Sequence, residues 1–130
     1  MSLKLEIEED EGLLRVIASG SFSMAGAFNR FLEMLDAVER SGAKKILVDG
    51  RTVSGNPEII ERFIYGEFAA KAVARYMMGG AARRMPQFAY VLHIPMRDPN
   101  GFGETVAVNR GMWVKVFGSV DEALEWLASP

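Results

Sequence analysis

The residues from Trp113 to Leu127 constrain the fold more than any other stretch of this chain. Trp113-Val114-Lys115-Val116-Phe117 alternates as a short strand does, and Gly118 breaks it. Ser119 with Glu122 three residues later has the spacing of a capping box. Ala123, Leu124, Trp126 and Leu127 then supply the apolar face of a final helix. Just upstream, Asn109-Arg110-Gly111 reads as the end of another helix. A strand that passes directly into a capped helix belongs to the grammar of alternating α/β folds, and the rest of the chain repeats it.

Leu3, Leu5 and Ile7 alternate with Lys4, Glu6 and Glu8, and a turn at Asp10-Glu11-Gly12 returns the chain into a second strand, Leu13 to Ser19. Ser21 or Ser23 can cap a helix whose Met24, Phe28, Phe31, Leu35 and Val38 fall on one stripe and which ends at Ser41-Gly42. Lys45 to Asp49 is a short buried-type strand. The stretch from Gly50 to Pro57 reads as irregular, with Asn56-Pro57 opening a second helix that runs to about Met78. Phe88 to Ile94 is a strand closed by Pro95, and Phe102 to Asn109 a short helix. The expected architecture is α/β in the order β-β-α-β-α-β-α-β-α. One domain spans 1–130, with a mainly parallel five-stranded sheet and helices packed over it.

A chain of 130 residues with 49% apolar and 25% charged residues can bury a core without metal or disulfide help. With zero cysteines there is no disulfide framework, thiolate metal site or cysteine nucleophile, which fits a reducing, cytoplasmic setting. No apolar run approaches the ~18 residues of a membrane span. A net charge of -2 gives no global attraction to nucleic acid.

The second helix is the unusual element. Ile59, Ile60, Phe63, Ile64, Tyr65, Phe68, Val73, Tyr76 and Met77 occupy most of its circumference, so it needs cover on several sides. Two covers are expected: a twin subunit in a homodimer through the helix 57–78, or a small apolar ligand. Ile60, Phe63, Ile64, Phe68, Tyr76 and Met77 are the candidate residues for either, and Arg75, Arg83 and Arg84 are candidate contacts for an acidic head group.

The order of elements, with Asn109-Arg110-Gly111, a strand ending in Phe117, and Glu122-Ala123-Leu124-Glu125-Trp126-Leu127, resembles the STAS-like, SpoIIAA-like group, in particular its small stand-alone bacterial members. That group includes anti-sigma-factor antagonists and the cytoplasmic domains of sulfate transporters, and is related to lipid carriers of the CRAL-TRIO type. The resemblance implies a non-enzymatic regulatory or protein-interaction module; a carrier or sensor of a small apolar or lipid-like ligand is the alternative. The antagonists carry a phosphorylatable serine in an Asp-Ser-Ser-Gly-like signature. Here only Ser54-Gly55 matches, and Val53 stands where the acidic neighbour would be.

Asp49, at the end of its strand, and Ser54, shortly before a helix, are the candidate ligand or phosphorylation loop. His93 is the single histidine and has no companions at metal-ligand spacing, so no metal, cofactor or catalytic residue is assigned. A hydrolase using Ser54 and His93 ranks last, because the chain has no nucleophile elbow of the Gly-x-Ser-x-Gly kind.

Overall fold

The structure is a computed structural model that describes residues 1–80 and 83–129. Nine elements follow the expected order: β1 (Lys4–Asp10), β2 (Leu13–Ser21), α1 (Met24–Ser41), β3 (Lys45–Ser54), α2 (Ile59–Met78), β4 (Gln87–Val91), α3 (Phe102–Asn109), β5 (Trp113–Phe117) and α4 (Val120–Ala128). The strands lie side by side in sequence order. β1 and β2 are antiparallel, whereas β2, β3, β4 and β5 are mutually parallel.

Alternation along the parallel strands builds two cores. Leu14, Val16, Ile46, Val48, Phe88, Tyr90 and Val114 point to one face, where α1 and α2 supply Phe31, Met34, Val38, Ala69 and Val73 and α3 supplies Ala107. Leu47, Ala89, Val91 and Phe117 point to the other, where α4 covers them with Ala123 and Leu127. Strands added successively in one direction carry their crossover helices on one side, so α1, α2 and α3 share a face. α4 follows the last strand and is free to fold back over the opposite face.

Local signals at the helix ends operate largely as read from sequence. Ser23 Oγ accepts the Gly26 N–H at 3.1 Å to open α1. Gly42 closes that helix with a left-handed φ of 70°, which glycine adopts without a side-chain clash. Ser119 Oγ accepts the Glu122 N–H at 3.2 Å, and its hydroxyl lies 3.1 Å from Glu122 Oε1.

Several boundaries differ from expectation, and β2 runs on through Ser21 rather than stopping at Ser19. The stretch after Asp49 is not all irregular: β3 continues through Ser54 and pairs Thr52, Val53 and Ser54 with Ser19, Gly20 and Ser21 after a break in register. The added residues are mostly polar because this extension reaches past β4, which ends at Val91, and pairs with β2 alone. β4 is correspondingly shorter than the apolar run from Phe88 to Ile94 suggests. α2 opens not at Asn56-Pro57 but at Glu58, whose N–H is taken by Glu61 Oε1 at 2.9 Å.

Part of the cover of α2 comes from within the chain. The helix is buried through Gly66, Ala69, Ala70 and Val73, and its aromatic residues meet α1, α3 and the sheet. Phe68 stacks on Phe28 with ring centroids 4.3 Å apart and meets Phe31 edge-on at 6.3 Å. On the opposite flank Phe63 lies 6.3 Å from Phe102. The α2–α3 crossing is close because glycines meet there: a Cβ on Gly66 would lie 2.6 Å from the Gly103 carbonyl oxygen. Much of the apolar circumference is thus satisfied within the chain.

Candidate functional site

Between the sheet and α1–α3 lies a cavity of about 190 Å³. Its floor is formed by Leu5, Ala18, Val48, Tyr90, Val114 and Val116 of the strands. Its roof comes from Ala27, Phe31 and Met34 of α1, Tyr65 and Ala69 of α2, and Gly103 and Ala107 of α3. Toward the carboxyl ends of the strands it is bordered by Phe22, Gly50, Val53, Leu92 and Met96. Ligands of open parallel sheets favour this end of the fold. A second depression, about 320 Å³, lies beside α4 between Lys115, Phe117, Glu125 and Trp126, with mixed polar walls.

The polar groups at the main cavity are few, and most are engaged. Arg62 donates from Nη1 to the Met96 carbonyl and from Nη2 to the Pro95 carbonyl, both at 2.8 Å, and from Nε to the Pro57 carbonyl at 3.1 Å. It thereby ties the segment after β4 to the start of α2. Arg30 pairs with Glu33 at 2.7 Å and donates to the Leu3 carbonyl at 3.3 Å, joining α1 to the amino-terminal segment. Glu104 Oε1 accepts the Val116 N–H of the edge strand at 2.7 Å. Asp98 accepts the N–H groups of Phe102 (2.8 Å) and Asn100 (3.0 Å), and these backbone bonds, that from Phe102 foremost, hold its pKa below the usual carboxylate value.

The exception is a pair of hydroxyls. Tyr65 of α2 and Tyr90 of β4 bond to each other at 2.8 Å, and neither hydroxyl has another hydrogen-bond partner among the described residues. Burial pushes the Tyr65 phenol up to about 12 against a partial offset from its bond to Tyr90. Burial also raises Tyr90, reinforced by the neighbouring Tyr65. Both stay neutral at physiological pH.

The residues singled out from sequence are distributed differently. Ile60 and Ile64 are 59% and 38% exposed on the outer side of α2. Phe63 lies beneath the Arg110 guanidinium at 5.3 Å, and Arg110 reaches Glu67 at 3.3 Å. Phe68 is in the α1–α2 packing, and Tyr76 and Met77 pack against the main core. None of these six borders the cavity; α2 reaches it through Glu61, Arg62, Tyr65 and Ala69. Arg75 and Arg84 are exposed, and Arg83 pairs with Glu39 and covers the Tyr76 ring at 4.4 Å. The cations that border the cavity are Arg30 and Arg62 instead.

Asp49 projects on the α4 side of the sheet, because its neighbour Val48 projects into the α1–α3 core. Arg51 grips both its oxygens at 2.9 and 2.8 Å, and that pairing lowers its pKa. Ser54 is exposed, with its hydroxyl 3.4 Å from the Gly20 carbonyl and 3.3 Å from Ser21 Oγ. His93 is exposed in the segment after β4. Among the described residues no hydrogen bond joins Ser54, His93 and Asp49, and no group of three or more His, Cys, Asp or Glu could hold a metal ion. Nor is any described helix long and apolar enough to cross a membrane.

Sequence reading missed the tyrosine pair. The signal was partial: α2 carries Tyr65 and Tyr76 and β4 carries Tyr90, and a buried phenol requires a partner, but nothing local in the sequence pairs Tyr65 with Tyr90.

No protein-family model matches the chain, and no curated protein matches it. Solved structures do. An uncharacterized protein of the DUF3478 family with a SpoIIAA-like fold, from Shewanella loihica PV-4, aligns over 97% of this chain and 94% of its own, at 15% identity and a TM-score of 0.49. An anti-sigma factor antagonist from Mycobacterium paratuberculosis aligns over 98% of this chain and 96% of its own, at 16% identity and a TM-score of 0.61. The five-stranded sheet with its four helices is therefore the fold of an anti-sigma factor antagonist, the SpoIIAA-like arrangement expected from the carboxyl-terminal residues.

Proposed function

We propose that this chain is a non-enzymatic, cytoplasmic regulatory module that senses a small apolar molecule held beneath α1, α2 and α3 and relays its presence to a protein partner. The cavity is the observation that carries this reading. Its walls are mostly apolar, three helices form its roof, and its volume of about 190 Å³ exceeds the ~150 Å³ engineered cavity that accommodates benzene. The shared fold supports the regulatory part, since the antagonist it matches is itself a regulator by name. Reading Asp49 as a structural carboxylate agrees with its bidentate grip by Arg51.

Native mass spectrometry of the protein purified from cells, followed by thermal melts with a panel of small aromatic compounds, tests the proposal. A ligand at about 100 times its Kd stabilises the fold by about 2.7 kcal/mol, which reads as a melting shift of several degrees. A clean protein mass together with unmoved melts across the panel refutes the sensor.

The exposed start of α2 favours a second reading, a homodimer. Ile59, Ile60 and Ile64 are 71%, 59% and 38% exposed and lie within two turns of one helix. Sedimentation should show a dimer that Ile60→Glu with Ile64→Glu converts to monomer. A native protein that sediments as a monomer at high concentration removes this reading.

A further inference from the structure

We infer that the cavity takes a small, neutral, mostly apolar molecule bearing a single hydrogen-bond acceptor, of the aryl ketone or aldehyde type, and that the Tyr65–Tyr90 pair is its recognition element. The inference rests on the sensor reading above and adds to it the chemistry of the ligand.

The argument is one of valence. A phenol carries one donor proton, so two hydroxyls that share one hydrogen bond at 2.8 Å use one proton between them. The other proton has no acceptor among the described residues, although both side chains line the cavity and Tyr90 is only 9% exposed. A buried donor without an acceptor is costly, so the pair favours an occupant that brings one. The remaining wall excludes alternatives. Most of the rest of the wall is valine, leucine, alanine, phenylalanine and methionine, which offer nothing to a charged group. Its carboxylates already accept backbone N–H groups, Glu61 that of Glu58, Asp98 those of Phe102 and Asn100, and Glu104 that of Val116, while Arg30 pairs with Glu33. The guanidinium of Arg62, which would attract an anion, is committed to three backbone carbonyls. Neither hydroxyl ionises near neutrality, so the site remains a proton donor throughout the physiological range.

The pair has a property that a lone tyrosine lacks. Removing either hydroxyl leaves the other with its proton free, so single substitutions keep the donor and only the double substitution abolishes it.

The test compares acetophenone with α-methylstyrene, which have the same shape but differ in whether oxygen or a methylene ends the double bond. Titration calorimetry on the native protein, Tyr65→Phe, Tyr90→Phe and the double variant gives the ratio of the two dissociation constants in each. The ratio should favour the ketone roughly three- to tenfold less in the double variant than in the native protein, the worth of one neutral hydrogen bond, and shift less than about twofold in either single variant. In the native protein alone, the carbonyl infrared stretch of bound acetophenone should lie below its position in hydrocarbon solvent, a readout that needs no variant to fold. If both compounds bind with an unchanged ratio and an unshifted stretch, the recognition role is overturned while the sensor stands. If neither compound binds, this inference falls, and the sensor reading falls with it when the native mass is clean and the melts across the panel are unmoved.

Discussion

Gly66→Ala sets two physical rules against each other. Gly66 lies in the middle of α2, where alanine is ordinarily better than glycine by about 1 kcal/mol through helix propensity. Yet a Cβ there would lie 2.6 Å from the Gly103 carbonyl oxygen and 3.4 Å from Val106 Cβ and Cγ1. The first of these is a backbone atom, so no side-chain rotation relieves it, and α3 must retreat by several tenths of an ångström. Overpacking of this kind costs roughly 1–3 kcal/mol, and a rigid backbone neighbour places it in the upper part of that range. After the propensity gain is subtracted, the variant should be less stable by about 1–2 kcal/mol. Gly103→Ala should cost less, since its Cβ would approach the Arg62 carbonyl only to 3.2 Å. Urea denaturation monitored by tryptophan fluorescence measures both, with an unchanged m-value confirming that only stability moved. A Gly66→Ala protein that gains about 1 kcal/mol would show that α2 and α3 do not approach as described.

Ser119→Ala removes the acceptor for the Glu122 N–H at the start of α4 and should cost about 1 kcal/mol in the same assay. It should leave ligand affinity unchanged, because α4 lies on the opposite face from the cavity; a large change in affinity would contradict that separation. The tyrosines also predict an alkaline limit. Their folded pKa values stand above the ordinary 10.0, so the folded state keeps protons that the unfolded chain releases. Their contribution is therefore complete below pH 10, and that of Tyr65 is lost as pH rises through about 12. Melting temperature should fall over that window, and less steeply in the Tyr65→Phe, Tyr90→Phe double variant; identical slopes would refute the assignment.

The carboxyl-terminal strand and helix were legible from sequence because every signal there is local: alternation in Trp113–Phe117, a serine cap, a glycine break. The same holds for α1 and its left-handed Gly42. What was not legible depends on residues distant in sequence. Thr52 to Ser54 look like loop because their strand character comes from pairing with Ser19–Ser21, across more than thirty positions. The apolar circumference of α2 signalled a need for cover but not its source. Phe28 and Phe102, which answer it, belong to helices whose placement follows from the topology of the sheet. Likewise Tyr65 and Tyr90 meet because the parallel register puts Tyr90 on the same face as Val48, beneath α2. The local pattern around Tyr90 shows only an apolar strand.

The outermost strand has a consequence for how copies of this protein can associate. β1 is an edge, and Glu6 and Glu8 alternate along it with the inward Leu5 and Ile7. Two copies docking β1 against β1 about a twofold axis at Ile7 would set Glu6 of each copy against Glu8 of the other. Like charges opposed across a ladder are repulsive, so in that register the carboxylates oppose the addition of a strand at this edge of the five-stranded sheet.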